Sequence, residues 1–178
     1  MRVVEPPDRG GPPADPQALP EFTLADYEQA IGELRGTPLL VNIWVSWCGP
    51  CRDDARLLAS AHETDVDRVR FKGVEILDEP ASARALMREF GWPYPSVYDP
   101  TGAVRDGPGL IGQPSTLFYD ASGQLVATWT GPLSEEVLDS GLNASANADG
   151  GTSWFRGPRR GTNGAGSSPG PRARPASS

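Results

Sequence analysis

The chain has 178 residues and a formal charge of −7, enough length for one domain with a proper core plus tails. Residues 1–144 carry 11 basic against 22 acidic side chains, which argues against a nucleic-acid partner; residues 145–178 reverse the balance, with five Arg against Asp149. Two Cys and one His, His62, fall short of the roughly four ligands of a closed zinc site, and His62 reads as a surface residue.

Residues 1–20 hold six prolines, and residues 144–178 are dominated by Gly, Ser, Pro and Arg. Both read as disordered flanks of one domain over 21–143. Met1 to Pro7 lacks the apolar core and small-residue cleavage site of a secretory leader. The longest uncharged stretch, between Arg35 and Arg52, is interrupted by Asn42, Ser46 and Gly49, which suits a buried strand rather than a membrane span. The chain is thus expected to be soluble, cytoplasmic by default, and monomeric.

Thr23 opens an amphipathic helix with Leu24, Tyr27, Ile31 and Leu34 on one face; Asp26 stands at the capping-box position and Gly36 closes it. Leu39 to Val45 reads as a buried strand, and Arg52 to His62 as a helix. Val69 to Leu77 is strand-like. Pro80 then opens a helix with Ala83, Leu86, Met87 and Phe90 at core spacing, closed by Gly91. This strand–helix–strand–helix series favours parallel pairing through right-handed crossovers. Trp92-Pro93-Tyr94-Pro95 is extended, and Asp99 to Gly102 is a turn. Thr116–Tyr119 and Gln124–Trp129 form an antiparallel hairpin through Asp120 to Gly123. Ser134 starts a last helix carrying Val137, Leu138 and Leu142, which fades after barely two turns.

The chemistry centres on Trp47-Cys48-Gly49-Pro50-Cys51, which holds both cysteines at a strand-to-helix junction. There, unpaired backbone N–H groups and the helix dipole stabilise an anion, so the Cys48 thiol ionises more easily than a free one. Asp53 and Asp54 sit in the first turn beside it and oppose that ionisation. A structural disulfide is the weak alternative, because so short a loop constrains the unfolded chain little. Trp44 reads as core and Trp47 as an exposed rim residue shaping access; Trp92 and Tyr94 suit either a substrate groove or the core.

Three ordered motifs resemble the thioredoxin superfamily, and within it the TlpA/ResA-like thiol-disulfide oxidoreductases. They are Val41 to Arg52, Phe90-Gly91-Trp92-Pro93-Tyr94-Pro95 to Asp99, and Gly112-Gln113-Pro114 to Gly123. The resemblance spans about residues 22–140. It implies an α/β thioredoxin-like fold, a central mixed sheet flanked by helices on both faces. It also implies that Cys48 attacks a substrate disulfide and Cys51 resolves the mixed disulfide. Pro114 would be a cis-proline facing the cysteines, and the Gln113 backbone would pair with an extended substrate alongside Trp47, Gly49 and Pro50. Asn42 stands where ordinary thioredoxins keep a buried Asp. The resembled group uses a carboxylate from the end of the next strand, matched here first by Asp78 and then by Glu75, as proton acceptor for Cys51. Asp78 equally reads as flanking the helix at Pro80.

The implied reaction needs no metal or organic cofactor, because the dithiol carries the electrons. Its partners are protein disulfides and an upstream electron-donating thiol protein. Gly-Pro between the cysteines resembles the reducing end of the superfamily, where potentials sit at about −270 mV rather than about −120 mV. Relatives of this kind work outside the cytoplasm on a membrane tether. The alternatives are a non-enzymatic redox-fold binding or chaperone module and a peroxiredoxin-like peroxidase. The latter normally carries Thr three residues before its reactive Cys, where this chain has Val45.

Overall fold

A computed structural model describes residues 15, 17–33 and 36–147. In chain order the elements are α1 (Leu24–Glu33), β1 (Leu39–Trp44), α2 (Gly49–Asp65), β2 (Arg70–Ile76), α3 (Pro80–Glu89), β3 (Ser96–Asp99), α4 (Ala103–Asp106), β4 (Ser115–Tyr119), β5 (Leu125–Thr130) and α5 (Glu135–Ala146). The strands form one mixed sheet in the order β3-β2-β1-β4-β5. β1, β2 and β3 run parallel, and the two pairings made by β4 are antiparallel. β1 lies at the centre and all six of its residues are buried, which is why it reads as an apolar run rather than an alternation, broken only by Asn42, whose amide donates to Thr116 Oγ1.

Alternation along the strands assigns the helices to faces. Phe118 packs on Gly141 of α5, and its neighbour Tyr119 points the other way to meet Tyr27 of α1. Phe71 shares the Phe118 face, since both stand opposite Leu40, and it meets His62 of α2 edge-on. α2 and α5 therefore cover one face and α1 covers the other, with α4 against α1. Trp92, just after α3, stacks on Trp44 with ring centroids 4.7 Å apart on the α2 face.

Local signals set the element ends. Thr23 Oγ1 accepts the Asp26 N–H while Asp26 Oδ2 accepts the Thr23 N–H, a reciprocal cap. Gly36, at φ 97°, takes the left-handed turn that follows α1. Leu34 lies outside the described residues, as do residues 1–14 and 148–178 of the flanks expected to be disordered.

Three expectations differ from the structure, and one short element, α4, was not foreseen. The N-terminal flank is packed from residue 17 onward: Leu19 is buried, and Pro20 and Phe22 bond to the outer edge of β3 through Tyr98. That contact covers an otherwise open strand edge. α2 begins at Gly49, so Cys51 lies inside the helix and the two acids fall one turn later than expected. α5 runs twelve residues to Ala146 with Ser145 buried, although its Gly, Ser and Asn content gives little apolar period. α4 is a single turn nucleated by buried Asp99, whose carboxylate accepts the Thr101, Gly102 and Val104 amides. No helix among the described residues is long and apolar enough to cross a membrane.

Candidate active site

β1 carries the chain across the middle of the sheet and delivers Ser46, Trp47 and Cys48 at its C-terminal end. Cys48 is the N-cap of α2, with extended backbone at φ −85° and ψ 115°. Its sulfur accepts the Cys51 amide at 3.2 Å, the position a Ser or Asp oxygen takes in an ordinary cap. Pro50 fits the first turn because its missing N–H would have no partner there. Cys48 and Cys51 are joined as a disulfide. Cys48 is 7% exposed and Cys51 1%, so the first sulfur is the one within reach of a partner. Trp47 beside it stands 66% exposed, while Gly49 and Pro50 are exposed at the helix start.

Across from the disulfide, the Gln113–Pro114 peptide bond is cis. The Gln113 carbonyl oxygen lies 3.9 Å from the Cys48 sulfur. Its side-chain oxygen accepts a hydrogen bond from Arg105 at 3.3 Å. Ser115 Oγ donates to the Gly112 carbonyl, and the Pro114 carbonyl accepts the Gly131 N–H. The Gln113–Pro114 segment is thereby tied to the end of the β4–β5 hairpin.

Three carboxyl groups lie on the elements that flank this centre. Asp54 is buried on the inward face of α2, one turn beyond Cys51, in line with Ala55 and Leu58. Its Oδ1 accepts the Leu133 N–H at 2.8 Å, and its Oδ2 has no hydrogen-bond partner among the described residues. Burial pushes its pKa up to about 6; the Leu133 amide opposes this and the Asp53 charge adds to it. Glu75 is fully buried in β2, in register with Trp44 on one side and Tyr98 on the other. Burial raises its pKa to about 8, and the neighbouring Asp78 charge pushes the same way. Asp78 is half-buried in the β2–α3 connection, where it accepts the Ser46 N–H at 2.5 Å and the Glu79 N–H at 2.7 Å.

The structure thus brings Cys48, Cys51, Trp47, Gly49, Pro50, Gln113 and Pro114 together. It does not bring Asp78 to the sulfurs by any hydrogen bond; that carboxylate is committed to two backbone amides. Sequence reasoning passed over Asp54 as a first-turn charge. Its signal was the spacing: positions 51, 54, 55 and 58 fall on one helical face, and that face is the buried one. His62, expected at the surface, is half-buried against Phe71 and Tyr94, and desolvation lowers its pKa. Trp92 and Tyr94 are core rather than groove.

Comparison with known proteins agrees with this geometry. The AhpC/TSA family matches residues 16–128. The thiol:disulfide interchange protein HelX of Rhodobacter capsulatus is 34% identical over 118 residues, covering 66% of this chain and 62% of its own length. The thiol:disulfide interchange protein DsbE of Allochromatium vinosum is 34% identical over 125 residues, covering 66% of this chain and 67% of its own. Among solved structures, a secreted Mycobacterium tuberculosis disulfide oxidoreductase homologous to Escherichia coli DsbE superposes with TM-score 0.59 at 20% identity, covering 72% of this chain and 97% of that one.

Proposed function

We propose that this chain, which belongs to the AhpC/TSA family and to the DsbE-like thiol:disulfide interchange proteins of the thioredoxin superfamily, reduces disulfides of protein partners outside the cytoplasm. It is a thiol-disulfide oxidoreductase with Cys48 and Cys51 as its redox pair. The observation that carries the reading is the placement of the Cys48 sulfur as the cap of α2, where the Cys51 amide and the helix dipole favour its anion.

In the reduced chain the Cys48 thiolate attacks one sulfur of the substrate disulfide. A mixed disulfide forms, and the other substrate sulfur leaves as a thiolate that takes a proton from water. Cys51 then attacks the Cys48 sulfur and expels the second substrate thiolate. Two electrons have passed from the dithiol to the substrate. The proton of Cys51 goes to Asp54, one turn along the same buried helical face, whose raised pKa suits a base at neutral pH. An upstream thiol protein restores the dithiol by the same exchange. Trp47 and the Gln113 backbone frame the substrate segment, as their position around Cys48 supports. The Gly-Pro pair between the cysteines supports the reducing direction. The secreted structural neighbour supports the extracytoplasmic setting.

Insulin-disulfide reduction tests the reading. The wild type turns over with a dithiol donor, Cys48→Ser does not, and Cys51→Ser accumulates a mixed disulfide on Cys48. An inactive wild type, or turnover that survives Cys48→Ser, overturns it.

A further inference from the structure

Glu75 is a buried titratable group that this mechanism leaves unused. It is wholly buried in the second strand of the sheet; its carboxyl oxygens have no partner at ordinary hydrogen-bond distance among the described residues, and Asp78 is the side chain that acts on it through hydrogen bonding as well as charge. A leucine there would fill the same space without desolvating a polar group, so the acid calls for a reason. Its surroundings suggest one. Asp78, three residues on, is the charged neighbour acting most strongly on it, and Asp78 takes the Ser46 N–H where β1 gives way to the turn that carries Cys48. That turn closes with Cys48 N–H on the Val45 carbonyl at 3.4 Å, a long bond with little margin.

We propose that Glu75 is a positioning residue for the dithiol, acting through the Asp78 carboxylate that fixes the Ser46 amide ahead of Cys48. With Glu75 neutral, it sets no negative charge against Asp78, and the Asp78–Ser46 bond is kept. When Glu75 ionises, two carboxylates face each other in a buried place, and the Asp78–Ser46 bond is the contact that yields. The other groups acting on Glu75 are Arg84 of α3, which favours its charged form, and Asp99 of β3, which opposes it; Tyr98 of β3 is also affected by it. No bond to sulfur is made or broken by Glu75. It shapes the turn in which Cys48 reacts, so the inference rests on the dithiol reading above.

The test has two arms. In the wild type, carbon-13 labelling of the glutamate carboxyls and nitrogen-15 labelling of the backbone follow Glu75 and the Ser46 amide from pH 5 to pH 10. The Ser46 signal is expected to move with the midpoint of Glu75, and to lose that midpoint in Glu75→Gln. A Ser46 amide that ignores the Glu75 titration overturns the proposal. In the second arm, the rate at which iodoacetamide alkylates reduced Cys48 is measured against pH. A fall of about two- to threefold across the Glu75 midpoint is expected beyond the thiol's own curve, absent in Glu75→Gln; this is the low end of coupling between neighbouring groups. Superimposable profiles for wild type and Glu75→Gln also overturn it. The overturning result of the nuclear resonance arm is read in folded wild type alone, so a failed insulin assay and a failed Glu75 link are told apart.

Discussion

Replacing Asp54 by Asn separates the cost of a buried acid from its use. Burial lifts the Asp54 pKa from its ordinary 3.8 to about 6. The folded chain therefore holds this proton more tightly than the unfolded one, and stability is lost as pH rises from about 4 through about 6. Above that range the loss is complete, and at about 1.36 kcal/mol per pKa unit it amounts to about 3 kcal/mol. Asn keeps the oxygen that accepts the Leu133 N–H but carries no charge. It places an amide where Oδ2 has no partner, which costs about 1 kcal/mol. Asp54→Asn is thus expected to stabilise the oxidised protein by about 2 kcal/mol at pH 7. At pH 4 the advantage disappears. Urea unfolding of both proteins from pH 4 to pH 8 measures this directly. Insulin reduction should meanwhile fall by about 100-fold, because Cys51 loses its proton acceptor, and the Cys48 mixed disulfide should build up. A stability difference that is the same at pH 4 and pH 7 would refute the electrostatic argument. Full activity in Asp54→Asn would refute the role in proton transfer.

Three further outcomes follow from packing and exposure. A Cβ on Gly141 would lie 2.3–2.5 Å from three Phe118 ring atoms, so Gly141→Ala should destabilise by about 1–3 kcal/mol in urea despite Ala's better helix propensity. Asp99→Ala strips the acceptor from the Thr101, Gly102 and Val104 amides and from the Thr101 hydroxyl; a loss of about 3 kcal/mol is expected, with Asp99→Asn losing less. Trp47→Ala removes a side chain that is 66% exposed, so the melting curve should stay within about 0.5 kcal/mol of wild type while KM for a protein disulfide rises.

What the sequence disclosed were the features fixed by local chemistry. The apolar run of β1, the Thr23–Asp26 cap, the Pro80 helix start and the β4–β5 hairpin each depend on a few neighbouring residues, and each stands where pattern places it. The length of α5 was hidden because its last turn, Asn143 to Ala146, turns Ser145 rather than an apolar side chain to the core. α4 was hidden because one buried Asp99 carboxylate organises it from outside the turn.

The acids show the limit most clearly. Asp53 and Asp54 are the same residue type at adjacent positions, but each step along an α-helix turns the side chain by about 100°. Asp53 consequently stands in solvent, its side chain 79% exposed and 3.7 Å from Arg56. Asp54 points into the layer under the sheet, where desolvation makes it a base of useful strength. Asp78 and Glu75 divide in the same way: one reaches two backbone amides at the sheet's end, and the other is sealed between Trp44 and Tyr98. Spacing from the cysteines names Asp53 and Asp54 as neighbours, and the family resemblance adds Asp78 and Glu75. Only the facing of α2 and β2 decides which of them meet water and which are held away from it.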